Sequence, residues 1–280
     1  MSATDLLEPT RPHLVPDYIG AVHVIVMNRG DDMPAAFGAM ISASPTQIGL
    51  RIAGGCSNMS AQDRENMLDW FGLNLTGFRG FLSSGATREV DGNGLLDPMV
   101  TEVPALIASM GPDDVVSIST VPRVGTLQLV DDSRLQMFNQ SEWGDSVSHP
   151  NPGVHMVVIV QDKLGNQLDW DGDVETYVDE FNARRRHGWQ FGLIAWNGGG
   201  VTKTEIKLAA RSGWPVILVE GSGRAADEYI TAMRGGVLDL SLEGDDEPVP
   251  YNEAKHNIFV VSKDSPLSLR RQLAALGFMQ

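Results

Sequence analysis

Two residues with chemical reach stand beside glycine turns in the second half of the chain. Glu205 follows the turn Asn197, Gly198, Gly199, Gly200, and Arg224 follows directly on Glu220, Gly221, Ser222, Gly223. A carboxylate beside a ribose-binding turn can stabilise positive charge developing at an anomeric carbon, as in glycoside cleavage. A guanidinium can fork onto a phosphate. Arg224 opens a helical pattern, where the helix dipole disfavours a cation, so its position favours an anion nearby. Two earlier turns share the composition: AGGCSNMS (53–60), with Gly54, Gly55 and Ser57, and SSGATREVDGNG (83–94), with Ser84, Gly85 and Thr87. Glycine lets backbone amides approach an anion closely, and the helix that follows adds free N–H groups. Serine and threonine hydroxyls at these turns are further donors to phosphate or ribose.

Each candidate also has a purely structural reading. Thr202 and Glu205 spell T-x-x-E, a capping box that would hold Glu205 to the start of its own helix. Arg51 lies inside an apolar run and Arg88 after a glycine turn, where either can pair with one of many carboxylates. Cys56 in GCS reads as a small residue filling a tight turn. The histidines, at 13, 23, 149, 155, 187 and 256, show no metal-ligand spacing, so no metal is expected. His155 opens a strand pattern and is expected to pack there. No G-x-x-x-x-G-K-[ST] occurs, and EGSGRAAD lacks the third glycine of the dinucleotide fingerprint. No G-x-S-x-G nucleophile motif is present either.

The elements that must position these residues are legible as alternating patterns. Apolar runs fall at 21–27, 48–54, 79–85, 115–121, 154–160, 191–197, 214–220 and 256–262, and several are nearly continuous in Val, Ile and Leu. Such runs suit parallel strands buried on both faces. Amphipathic stretches fall near 34–43, 60–71, 97–110, 173–187, 202–212, 224–234 and 266–276. In the fourth, Val174, Tyr177, Val178 and Phe181 mark one helical face. The alternation predicts an α/β fold, a doubly wound and mostly parallel sheet with helices on both faces. The four glycine turns then converge on the carboxyl rim of that sheet, where open α/β sheets bind ligands. Residues 1–18, with three prolines, read as a flexible arm. Residues 19–280 read as a single domain with a loop-rich insertion near 122–153, and EGDDEPVP (243–250) as a solvated acidic loop.

The formal net charge of −15 argues against nucleic acid as the main partner. A nucleotide-sized anion must be held by local amides and a few arginines. One cysteine cannot form an internal disulfide, and no apolar run approaches a membrane span. A cytoplasmic protein without a membrane segment is the expectation.

The stretch NGGGVTKTEIKLAARSGWPVILVEGSGRAADEYI (197–230) resembles the SLOG superfamily, in particular its TRPM-like prokaryotic branch. The matching positions are Gly198, Gly199, Glu205, Pro215 through Arg224, and Asp227. LRIAGGCSNMS and the strand after His155 also look like that branch, and the resemblance runs over roughly residues 20–275. It implies a Rossmann-like fold that binds a nucleotide derivative: ADP-ribose-like, NAD-derived or cyclic. It further implies a sensor module linked to an effector in bacterial conflict or antiviral signalling, with no resident cofactor. The same superfamily holds the LOG-type phosphoribohydrolases, whose pattern is P-G-G-x-G-T-x-x-E. Gly198, Gly199, Thr202 and Glu205 match it, whereas Asn197 replaces the proline and Val201 the third glycine. The upstream arginine of that pattern has only the RRR at 184–186 nearby. The resemblance therefore favours a binding module. The alternatives are a hydrolase of nucleoside monophosphates using Glu205, or an assembly subunit whose ligand controls homo-oligomerisation, with the apolar 68–78 segment as interface.

Overall fold

The computed structural model describes residues 13–19, 22–55, 58–85, 100–123, 126–131, 134–138, 147–148, 154–163, 168–251 and 257–279. A nine-stranded sheet forms the centre. Its strands are β1 (His13–Ile19), β2 (Val22–Asn28), β3 (Ile48–Gly55), β4 (Gly80–Gly85), β5 (Val115–Pro122), β9 (Met156–Gln161), β10 (Gln190–Asn197), β11 (Val216–Glu220) and β12 (Ile258–Ser262). They lie in the order β1-β2-β9-β5-β4-β3-β10-β11-β12. Every pairing is parallel except that of β1 with β2. β5 and β9 are buried along their whole length, as the continuous apolar runs require.

Helices cover both faces. On one, α1 (Ala35–Ser42), α4 (Val174–Arg185), α5 (Gly200–Arg211) and α6 (Arg224–Arg234) share a core with Phe37, Ile41, Tyr177, Phe181, Ile206 and Tyr229. On the other, α2 (Ala61–Leu75), α3 (Val103–Met110) and α7 (Ser268–Ala275) pack through Trp70, Phe71, Ile107, Leu269 and Leu273. The expected doubly wound sheet is the fold observed.

Two segments differ from their sequence reading. Residues 13–19 are not part of an arm but an antiparallel edge strand, with Leu14 opposite Ile25. Between β5 and β9 the expected loop-rich connection carries a second sheet of β6 (Thr126–Asp131), β7 (Arg134–Phe138) and β8 (Val147–Ser148). Both form short antiparallel pairs, whose residues lack the long apolar runs that reveal a buried parallel strand.

The strand order fixes where a ligand site belongs. From β3 the chain steps through β4 and β5 to β9, then crosses back by α4 to place β10 on the other side of β3. This reversal opens a crevice between the carboxyl ends of β3 and β10, the position at which doubly wound sheets bind ligands. The register sets Trp196 beside Gly54 and Asn197 beside Gly55.

Candidate ligand site at the β3–β10 crevice

The turns leaving β3 and β10 touch. Gly54 has φ +147°, and a Cβ there would stand 2.0 Å from the Trp196 carbonyl oxygen, so the close approach requires glycine. A Cβ on Gly55 would meet the Gly198 Cα at 4.0 Å. Asn197 is buried and held at φ +54°, donating its backbone N–H to the Ser222 Oγ at 2.8 Å. The turns after β10 and β11 are thereby fastened together. Asn58 at φ +67° and Arg224 at φ +39° are the other non-glycine residues with positive φ among those described. Asn197 ends β10, and Asn58 and Arg224 follow β3 and β11, all at or beside the crevice. Left-handed backbone costs a non-glycine residue about 1–2 kcal/mol and tends to cluster where a site is held in place.

Gly199 precedes the first turn of α5, and no side chain caps that helix. Its leading N–H groups donate to no side-chain cap. The Arg224 side chain is exposed, and its Nη2 lies 3.0 Å from where a Gly199 Cβ would stand. A larger residue at 199 would displace the guanidinium. A cation and uncapped helical amides therefore meet over the same glycine.

The turn after β11 is differently organised. Gly221 and Gly223 donate their N–H groups to the two carboxylate oxygens of Asp227, at 2.8 and 2.9 Å. The Ser222 hydroxyl donates to the Val219 carbonyl at 2.6 Å, and Glu220 pairs with Arg234. Asp227 already fills the cradle that these glycines would offer a phosphate, so Arg224 is what this turn presents to solute. Asp227, the fourth residue of α6, matched the resemblance, but its role as the partner of these amides was not read; the signal was an acid four residues after the second glycine. Ser84 also turns inward, with its Oγ donating to the Gly85 carbonyl at 2.8 Å. Ser57, Thr87, Cys56 and Arg88 lie outside the described residues.

Glu205 is not the end of a capping box. Gly199 and Gly200 let the helix begin ahead of Thr202, so Thr202 is the third helical residue and Glu205 the sixth. Thr202 packs against Gly198, whose Cβ would stand 2.3 Å from the Thr202 Oγ1. Glu205 is 3% exposed and faces the sheet. Its Oε1 accepts from Arg51 Nε at 2.9 Å, Arg51 Nη2 at 2.8 Å and the Tyr177 hydroxyl at 2.7 Å. Arg51 also donates to the Thr120 Oγ1 at 2.9 Å and lies 4.1 Å from the centroid of the Tyr177 ring. Asp173 completes this buried group, and its Oδ2 has no partner among the described residues. Burial pushes the Asp173 carboxyl up to about 6, against the pull of Arg51 and the Thr120 hydrogen bond. Burial likewise holds the Tyr177 hydroxyl well above its ordinary range.

The arginine that meets Glu205 is Arg51, not one of those at 184–186. Arg184 pairs with Glu180, and Arg185 donates to the Ser212 carbonyl, at the amino edge of the sheet. His155 is packed at the start of β9 with its Nδ1 2.9 Å from the Ser117 Oγ. The 68–78 segment is core rather than interface: Trp70, Phe71, Leu75 and Phe78 are buried, and Leu73 is its exposed large residue. Among the described residues, no group of His, Cys, Asp or Glu could hold a metal, and no helix is long and apolar enough to cross a membrane.

No family model matches the chain, and no curated protein matches it significantly. Two similar solved structures are molybdenum cofactor proteins. The carrier protein of Chlamydomonas reinhardtii is 15% identical with a TM-score of 0.41, covering 82% of this chain and 95% of that one. The binding protein of Rippkaea orientalis is 14% identical with a TM-score of 0.43, covering 82% and 96%. Likeness at this level carries no argument about function. The functional reading rests on the residues at the crevice.

Proposed function

We propose that this chain is a SLOG-like binding module that seats a nucleotide-derived anion at the β3–β10 crevice. The observation that carries the reading is the pairing of uncapped α5 amides with the exposed Arg224 over Gly199. A phosphate there would meet both helix-terminal N–H groups and a guanidinium, which together favour negative charge. Arg224 has no ion-pair partner of its own among the described residues. Its strained backbone is understandable if its place is set by a ligand. The preferred ligands are ADP-ribose-like, NAD-derived or cyclic nucleotides. The setting is that of a TRPM-like sensor in the bacterial cytoplasm, coupled to an effector or to homo-oligomerisation.

The burial of Glu205 and its three donors favour binding over hydrolysis. A carboxylate so engaged balances Arg51 rather than waiting for an anomeric carbon. The test is thermal melting with ADP-ribose, NAD, cyclic ADP-ribose, AMP and cyclic dinucleotides. A ligand of the native state raises the melting temperature by mass action. At least one of these nucleotides is expected to do so, and no shift from any at millimolar concentration would remove the reading.

A further inference from the structure

The crevice has a second compartment on the face opposite α5. A cavity of about 350 Å³ opens between α2, the end of β10, the β11–α6 turn and the segment after β12. One wall is made by Trp70 and Trp196, whose rings lie 5.3 Å apart and tilted by 53°. Both are more than nine-tenths buried, and among the described residues neither indole N–H has an acceptor. Met59 adds an apolar surface, whereas Asn66, Asp63 and Asp264 place acceptors along the edge. Lys263 is the cavity's cation, its stem lying over Gly221.

This lining sorts ligand chemistries. Two carboxylates against one ammonium disfavour a phosphate in the cavity itself. A flat ring fits the aromatic and Met59 surface, and an exocyclic amine suits the acidic edge. The cavity also joins the anion site through the chain. Trp196 directly precedes Asn197, and Ser222 lines the cavity while accepting the Asn197 N–H.

We infer that the Trp70–Trp196 cavity is the subsite for an amino-substituted heteroaromatic base, of the aminopurine class. This rests on the proposed phosphate seat at α5, from which the base would reach across the rim. Isothermal titration with adenosine, AMP and ribose 5-phosphate separates the two compartments. Met59→Trp fills the cavity from its half-buried edge, and Trp196→Leu takes one ring out of its wall. Circular dichroism checks that each variant is folded. Adenosine is expected to bind, and AMP to bind more tightly than either fragment. Both variants should weaken adenosine and AMP about tenfold or more while leaving ribose 5-phosphate unchanged. Adenosine affinity that neither folded variant alters overturns the subsite. So does binding of ribose 5-phosphate without any of adenosine at millimolar concentration, an outcome that leaves the anion site standing. Adenosine binding lost in the variants, with no binding of ribose 5-phosphate, upholds the subsite and removes the anion site.

Discussion

Asp173 carries a charge that the fold resists. It is buried with Arg51, Tyr177 and Glu205, and its carboxyl titrates near about 6 instead of in the usual carboxylate range. The folded value lies above the unfolded one, so the neutral form supports folding. That contribution is complete below about pH 4 and is lost as pH rises through about 6. The loss is on the order of 3 kcal/mol. Asp173→Asn should therefore be more stable than the parent at pH 7.5, with the gap closing toward pH 4, as urea unfolding at the two values would read. Equal stabilities at pH 7.5 would contradict this electrostatic picture. Glu205→Gln works in the opposite direction. It removes the carboxylate that accepts from two Arg51 donors and leaves Asp173 as the remaining anion near that guanidinium; breaking a buried pair in this way typically costs about 3–5 kcal/mol. A capping box would lose less than about 1 kcal/mol in the same change. Urea unfolding decides between them, and a parallel assay with AMP is expected to show no release of free base in either protein.

The elements were largely legible because buried parallel strands write themselves as continuous apolar runs. The runs at 48–54, 115–121 and 191–197 became β3, β5 and β10 with boundaries differing by one residue. β1 and the β6–β8 sheet were not legible, since these short strands, paired antiparallel with their neighbours in sequence, lack the continuous apolar runs of a buried parallel strand. The site was legible only in part. The glycine turns could be read, but not that Asp227 fills one of them or that Arg51 meets Glu205 across 154 positions. Glycine is also required unequally. Gly54→Ala would drive a Cβ into the Trp196 carbonyl at positive φ and should cost more than about 2 kcal/mol. At Gly200 a Cβ meets nothing within 4 Å, and the residue begins α5. Gly200→Ala should be neutral or stabilising by about 0.5 kcal/mol. Melting curves of the two variants test the contrast, and equal losses would contradict the tight β3–β10 contact.

At the scale of the whole molecule, topology and charge act together. The reversal of strand order brings β3 and β10 side by side, so turns from distant parts of the sequence share one rim. The net charge of −15 gives no general attraction for an anion, so binding must come from local groups. That places the weight of the account on Arg224 and the α5 amides. The most direct test is phosphorus NMR of AMP and ADP-ribose titrated with the parent protein and with Arg224→Ala. The phosphate resonance of at least one ligand should shift or broaden with the parent. The variant, still folded, should bind more weakly by about 1.5–3 kcal/mol, the loss of a charge-assisted contact. An identical titration with the folded variant would contradict the account and put the phosphate elsewhere.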